Sequence, residues 1–165
     1  MIPALRRYAR ALLREQAAAD DLVQDCLEKV ITYWDSRRSH ADTRSWVFAI
    51  LHNLAMTALR RHAGGHGMHV SIDEVAESLM TVPATQEDAL HYRDLMSAVD
   101  ALPPEQRSVL LLVSVEDMSY ADAARILDIP IGTVMSRLSR AREKLLKLME
   151  AGLHTTPKSA LRRVK

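Results

Sequence analysis

SYADAARILDIPIGTVMSRLSRAREKL, from Ser119 to Leu145, is the stretch whose reading decides the fold. Ser119 with Asp122 is a helix-start signal, because a hydroxyl there accepts from a backbone N–H that the first turn leaves unpaired. It predicts a short helix over Tyr120–Asp128 that offers Ala121, Ala124 and Leu127 for close packing. The tight IPIG connection follows, and then a helix from about Gly132 to Glu150. At a helical period, Val134, Leu138, Ala141 and Leu145 fall within about 60° of arc, whereas Thr133, Ser136, Arg137, Arg140 and Lys144 lie on a separate face. One face packs and the other is presented. Two helices joined in this way read as a helix-turn-helix, whose second helix enters the DNA major groove with its N-terminal residues on base edges. Arginine suits bidentate contact with guanine, and Arg142 and Lys144 suit phosphates.

Working outward, apolar residues recur at three and four, glycine is scarce (5 in 165 residues) and β-branched runs are short. The chain therefore reads as all-α outside 63–72 and 81–84. The spacing predicts a helix over Ala4–Leu13, a second starting at Asp20 or Asp21, where carboxylates suit the positive end of a helix, and a third from about Thr43 to His62. HAGGHGMH (His62–His69) breaks the pattern with three glycines, and Ser71 with Glu74 restarts a short helix, Ile72–Met80. Thr85 with Asp88 starts the next, which ends before Pro103, and Pro104 suits the first turn of a helix through Val115. The expected organisation is two small helical domains, 1–62 and 95–150, joined by a flexible linker, 63–94, and followed by a basic tail, 151–165.

A formal net charge of +1 conceals strong segregation. Residues 15–35 carry six acids against Lys29, and 36–62 carry five arginines against Asp42. Residues 63–100 then carry seven acids against Arg93, and 131–165 carry nine Lys or Arg against Glu143 and Glu150. Within the acidic second helix, Asp21, Asp25 and Glu28 at i, i+4 and i+7 form one face, opposite Val23, Leu27 and Trp34. In the third, Trp46, Ile50, Leu54 and Ala58 form an apolar side, with Trp46 in the core, while Asn53 and Arg60 share an outward face. Arg37, Arg38, Arg44, Arg60 and Arg61 supply the cationic groove that single-stranded DNA needs. Cys26, the one cysteine, sits among Leu22, Val23, Leu27 and Val30 and reads as a buried thiol. No run of about 18 apolar residues exists, and MIPALRRYARALLREQ places Arg too densely for a signal peptide, so a cytoplasmic location is expected.

ALPPEQRSVLLLVSVEDMSYADAARILDIPIGTVMSRLSRAREKL (Ala101–Leu145) is similar, nearly position by position, to region four of bacterial RNA polymerase sigma factors of the extracytoplasmic-function type. AADDLVQDCLEKVITYW (Ala18–Trp34) and SWVFAILHNLAMTALRRH (Ser45–His62) resemble the region two helices of the same family. Nothing between the two modules resembles the third region of housekeeping sigma factors. The resemblance implies that the first module binds the β′ clamp helices of core RNA polymerase through Asp21, Gln24, Asp25 and Glu28. It implies that Arg37, Arg38, Asn53, Arg60 and Arg61 serve the minus-ten promoter element. The second module would contact the β flap and read the minus-thirty-five element with Thr133, Ser136, Arg137, Arg140 and Lys144. Met135 stands where the family often has a basic residue. Stress- or signal-responsive control by an anti-sigma factor is the family's usual arrangement.

Other readings are weaker. His62, His66 and His69 are spaced for a metal on a helix, but Gly64, Gly65 and Gly67 argue against that helix, so no metal and no cofactor are expected. No Gly-rich phosphate loop, nucleophile elbow or HExxH is present, which argues against an enzyme. The serious rival is a stand-alone helix-turn-helix regulator, which would need a ligand or dimerisation domain where this chain has an acidic helix and an Arg-rich one.

Overall fold

The computed structural model describes residues 1–36, 42–63 and 86–155. Among them are seven helices and no strand: α1 (Ile2–Leu13), α2 (Gln16–Thr32), α3 (Thr43–Ala63), α4 (Gln86–Asp100), α5 (Pro104–Ser114), α6 (Tyr120–Leu127) and α7 (Ile131–Thr155). The short helix read at Ile72–Met80 lies outside the described residues, as do Arg37, Arg38, His66 and His69.

Pro3 sits in the first turn of α1, where its missing N–H costs nothing, and Arg14 ends the helix in the left-handed region with its N–H on the Arg10 carbonyl. The second helix starts at Gln16, not at Asp20 or Asp21. Gln and Ala are strong helix formers, so the run QAAA extends the helix a turn upstream of the carboxylates. Asp20 instead faces α1, pairing with Arg6 at 3.3 Å and Arg10 at 3.5 Å.

Leu22, Val23 and Cys26 turn inward from α2. Burial pushes the Cys26 thiol up to about 11, so it stays protonated and inert. Trp34 does not join this apolar face. The helix stops at Thr32, its period ends there, and Ile31, Tyr33 and Trp34 are all exposed. In α3 the deepest positions are Val47, Phe48, Leu51 and Ala55, about one residue round from the expected side; Trp46, Ile50, Leu54 and Ala58 are half-buried against the same core.

Residues 107–112 of α5 are buried on every face, which makes it the central helix. The Ser119 hydroxyl caps α6, accepting from the Asp122 N–H at 3.0 Å. The turn into α7 is made by Asp128 at φ 52°, with the Ile129 N–H reaching back to the Ala124 carbonyl at 3.1 Å. Gly132 has no positive φ and open space where a Cβ would stand, so the sharp bend does not depend on it.

The two modules are docked on one another. Helix α5 packs against α1, and α6 against α3, so Leu5, Tyr8, Leu12 and Phe48 share one buried cluster with Leu110, Leu112, Met118 and Ile126.

Candidate nucleic-acid and polymerase interfaces

Helix α7 is anchored by Val134, Leu138 and Ala141, none more than 2% exposed, with Leu145 half-buried on the same line. Burying that stripe against α4, α5 and α6 fixes the rotation of the helix. Ser136, Arg140 and Lys144 are consequently exposed, and Thr133 and Arg137 are half-buried at the flank of the same face. Met135 is exposed beside them. Further along, Lys147 pairs with Glu143 at 2.7 Å, one turn apart, and this pair holds the Glu143 carboxyl below its ordinary range. The backbone N–H groups of Thr133 and Val134 both point to the Pro130 carbonyl, at 2.9 and 3.1 Å, closing the first turn.

On the first module, Asp21, Gln24, Asp25 and Glu28 are all exposed along one side of α2. The Gln24 amide donates to Glu28 at 3.2 Å, one turn apart, which keeps these groups on a single outward ridge. Across the module, Asn53, Arg60 and Arg61 are exposed on α3. Helix α3 therefore has a sealed side and a polar one, although its sequence is apolar nearly all round. Arg44, at its start, is not free for a ligand in this arrangement: its guanidinium donates to the Glu116 carbonyl at 2.8 Å and lies 5.7 Å from the Phe48 ring centroid.

Two features were not read from the sequence. Ile31, Tyr33 and Trp34 form an exposed apolar and aromatic end to α2, immediately ahead of Arg37 and Arg38 in the chain. The signal is the adjacency of aromatics to a basic run, which is lost when the helical period is carried past Thr32 and sets Trp34 opposite the acidic face. A groove of 230 Å³ also opens between the modules, floored by Leu95, Met96, Val99 and Leu110 and flanked by Arg10 and Arg14 of α1.

Among the described residues, no group of His, Cys, Asp and Glu is placed to hold a metal ion, and no helix is long and apolar enough to cross a membrane.

Comparison with known proteins agrees with this arrangement module by module. The family described as the sigma2 domain of PhyR matches residues 1–52, and sigma-70 region 4 matches residues 92–145. The ECF RNA polymerase sigma factor EcfG of Rhodopseudomonas palustris is 34% identical over 148 residues, covering 90% of this chain and 80% of that protein. The sigma factor RpoE of Bartonella quintana, solved in complex with the anti-sigma factor NepR, superposes with a TM-score of 0.72 at 31% identity, over 90% of this chain and 91% of the other. CnrH, solved with the cytosolic domain of CnrY, gives a TM-score of 0.65 at 26% identity, over 90% of this chain and 81% of that one. With both modules matched in order, and with a relative this similar covered over most of its length, the chain belongs to the extracytoplasmic-function RNA polymerase sigma factors.

Proposed function

We propose that the chain divides promoter recognition and polymerase binding among three of its surfaces. The acidic ridge of Asp21, Gln24, Asp25 and Glu28 docks on the β′ clamp helices. The polar side of α3, with Asn53, Arg60 and Arg61, engages the minus-ten element together with Arg37 and Arg38. Tyr33 and Trp34 offer ring faces for unstacked bases there. Thr133, Ser136, Arg137, Arg140 and Lys144 of α7 meet the minus-thirty-five element. The units that act are residues 1–62 and 95–150, with α4 extending the second unit upstream to Gln86.

One observation carries this reading: α7 buries Val134, Leu138 and Ala141, so the rotation that seals the core also presents Ser136, Arg140 and Lys144. An anti-sigma factor belongs to the same reading. The solved relatives RpoE and CnrH are held in complexes with NepR and with the cytosolic domain of CnrY, the former an anti-sigma factor. The groove between the modules, floored by Leu95, Met96, Val99 and Leu110, suits the apolar face of an amphipathic helix.

Charge reversal on α2 tests the polymerase-docking surface. With Asp21, Asp25 and Glu28 all exposed, changing the three to Lys is expected to cost within about half a kcal/mol of stability at each site. Association with core polymerase should slow and weaken instead, most visibly at low salt, since complementary charge acts on encounter and register. Circular dichroism and thermal melting beside core affinity at two salt concentrations separate the two effects. A normally folded variant that binds core polymerase like the parent overturns the docking surface. Tight, specific promoter binding by the free chain at physiological salt would favour a stand-alone regulator instead.

A further inference from the structure

Beside its cations, α7 carries apolar side chains in solvent. Tyr120 at the start of α6 is 37% exposed, Ile131 50% and Met135 53%. Ile131 and Met135 are one turn apart on the same flank of α7. With Val134, Leu138 and Ala141 in the core, the exposed arc of the helix runs from Met135 and Ser139 on one side to Arg140 and Lys144 on the other. Rotating the helix to bury Met135 would lift Val134 and Ala141 out of the core, so the thioether is held outside by the same packing that sets the arginines.

Met135 lines a shallow notch with Tyr120, Leu138, Ser139 and Arg142. At about 260 Å³ the notch falls below the roughly 300–1,000 Å³ of sites that enclose a small molecule, and it is open to solvent. Arg142 is the one ionised side chain among those that line it. Arg140 and Lys144 are exposed on the same helix, and the Glu143 carboxylate between them is taken by Lys147 at 2.7 Å. An apolar floor with a cationic edge suits a polyanion that carries an apolar group.

DNA has one such group in its major groove. Adenine, guanine and cytosine present donors and acceptors there, whereas thymine adds a C5 methyl group. A thioether has no donor and only a weak acceptor, so the base edge it favours is the methylated one. Ser136, next to Met135, has its hydroxyl proton committed to the Thr133 carbonyl at 3.1 Å. Methionine, unbranched and polarisable, adapts to an irregular apolar contact.

We propose that Met135 is a specificity-determining residue for the upstream promoter element: its side chain, backed by Tyr120 and Leu138, packs on the C5 methyl group of one thymine, while Arg142 at the edge of the notch holds a phosphate. A basic residue at this position would favour guanine or a phosphate instead. The assignment of α7 to the upstream element is the reading on which this contact rests, and the test keeps the two apart.

The probe is a promoter that the holoenzyme transcribes, with each thymine of the upstream element replaced in turn by deoxyuridine. That exchange removes the methyl group and leaves every hydrogen-bonding atom in place. Holoenzyme formed with the parent chain should bind about four-fold more weakly at one position, the worth of one methyl group taken out of water. Met135→Ala should bind the unmodified promoter about four-fold more weakly and be indifferent to deoxyuridine at that position, because the two changes remove the same contact. Met135→Leu should keep the sensitivity. Both variants should melt with the parent and bind core polymerase as it does, since the position is exposed.

No sensitive thymine in the parent, or sensitivity that survives in Met135→Ala, overturns the contact. So does a Met135→Ala chain that binds core polymerase more weakly with unchanged base preference, which would make the notch a protein-docking surface. Arg140→Ala locates the failure: if it relaxes base preference while deoxyuridine changes nothing, the Met135 contact falls and the reading helix stands. If Arg140→Ala and deoxyuridine both leave base preference unchanged, both assignments fall.

Discussion

Burial takes the His52 imidazole out of water and lowers its pKa to about 4, so the ring is neutral at physiological pH and its Nδ1 stands 3.1 Å from the Tyr8 hydroxyl. Tyr8 is buried as well, and burial raises its own pKa, so the pair holds as a neutral phenol beside a neutral ring. The unfolded chain returns His52 to an ordinary value near 6.5 and therefore binds its proton at a higher pH than the folded chain does. The His52 contribution is intact above about pH 6.5 and is lost as pH falls toward 4, where the folded ring protonates too. At pH 5 the loss should be about 2 kcal/mol relative to pH 7.5. Urea unfolding of the parent and of His52→Gln at both pH values isolates it, since other titrating groups are common to the two; equal pH dependence in parent and variant would rule out His52 as the source. Arg107 carries the complementary lesson. The LPPEQR motif was plain, but not that its arginine is 3% exposed with its guanidinium on the carbonyls of Val99, Asp100, Leu102 and Leu12. Arginine is ordinarily a surface residue, and only the meeting of two helix C-termini, each rich in unpaired carbonyls, makes this burial tolerable.

At the scale of elements, the bounds of α6 and the faces of α7 were legible because local signals agreed, a hydroxyl cap for the one and an apolar stripe opposite a basic face for the other, but the packing side of α6 was misplaced: Ala123 and Ile126 are buried, Ala124 and Leu127 are half-buried and Ala121 is exposed. Where signals competed, the sequence misled. Carboxylates at 20 and 21 suggested a helix start, but the alanine run ahead of them is the stronger helix former. Helix α3, apolar on most sides, gave no clear moment, so its deepest line was misplaced by about one residue. Glycine at 132 suggested the turn that Asp128 makes. For α7 the geometry separates two classes of basic residue. Arg137 and Arg140 lie in the N-terminal half, which the proposed reading sets against base edges, whereas Lys144 lies a turn further on. Replacing Arg137 or Arg140 with Ala should cost on the order of 1–3 kcal/mol on the preferred upstream element and relax discrimination there, while Lys144→Ala should weaken all sequences evenly. Transcription from a panel of single-base promoter variants reads both, and unchanged preferences in both arginine variants would remove α7 as the reading helix.

For the whole molecule, two modules could be read from composition and punctuation, but their docking could not. The contacts that make it join residues 109 and 72 positions apart, Arg7 and Arg44 with Glu116, and no periodicity reports on such pairs. Yet docking decides how the free chain meets DNA. Two linked sites raise affinity only when geometry lets both engage at once; otherwise the second site adds nothing. A closed molecule roughly 40 Å across cannot place α3 and α7 on elements roughly 85 Å apart. The free chain should therefore bind a duplex with both elements no more than about two-fold tighter than one with the upstream element alone, and both complexes should weaken steeply with salt, as phosphate contacts do. If core polymerase lets both modules engage at once, the full promoter should gain on the order of a hundred-fold over the upstream element alone. Fluorescence anisotropy on the two duplexes, with and without core polymerase, measures both ratios. A large advantage for the full promoter in the absence of polymerase would mean that the seam opens on DNA by itself.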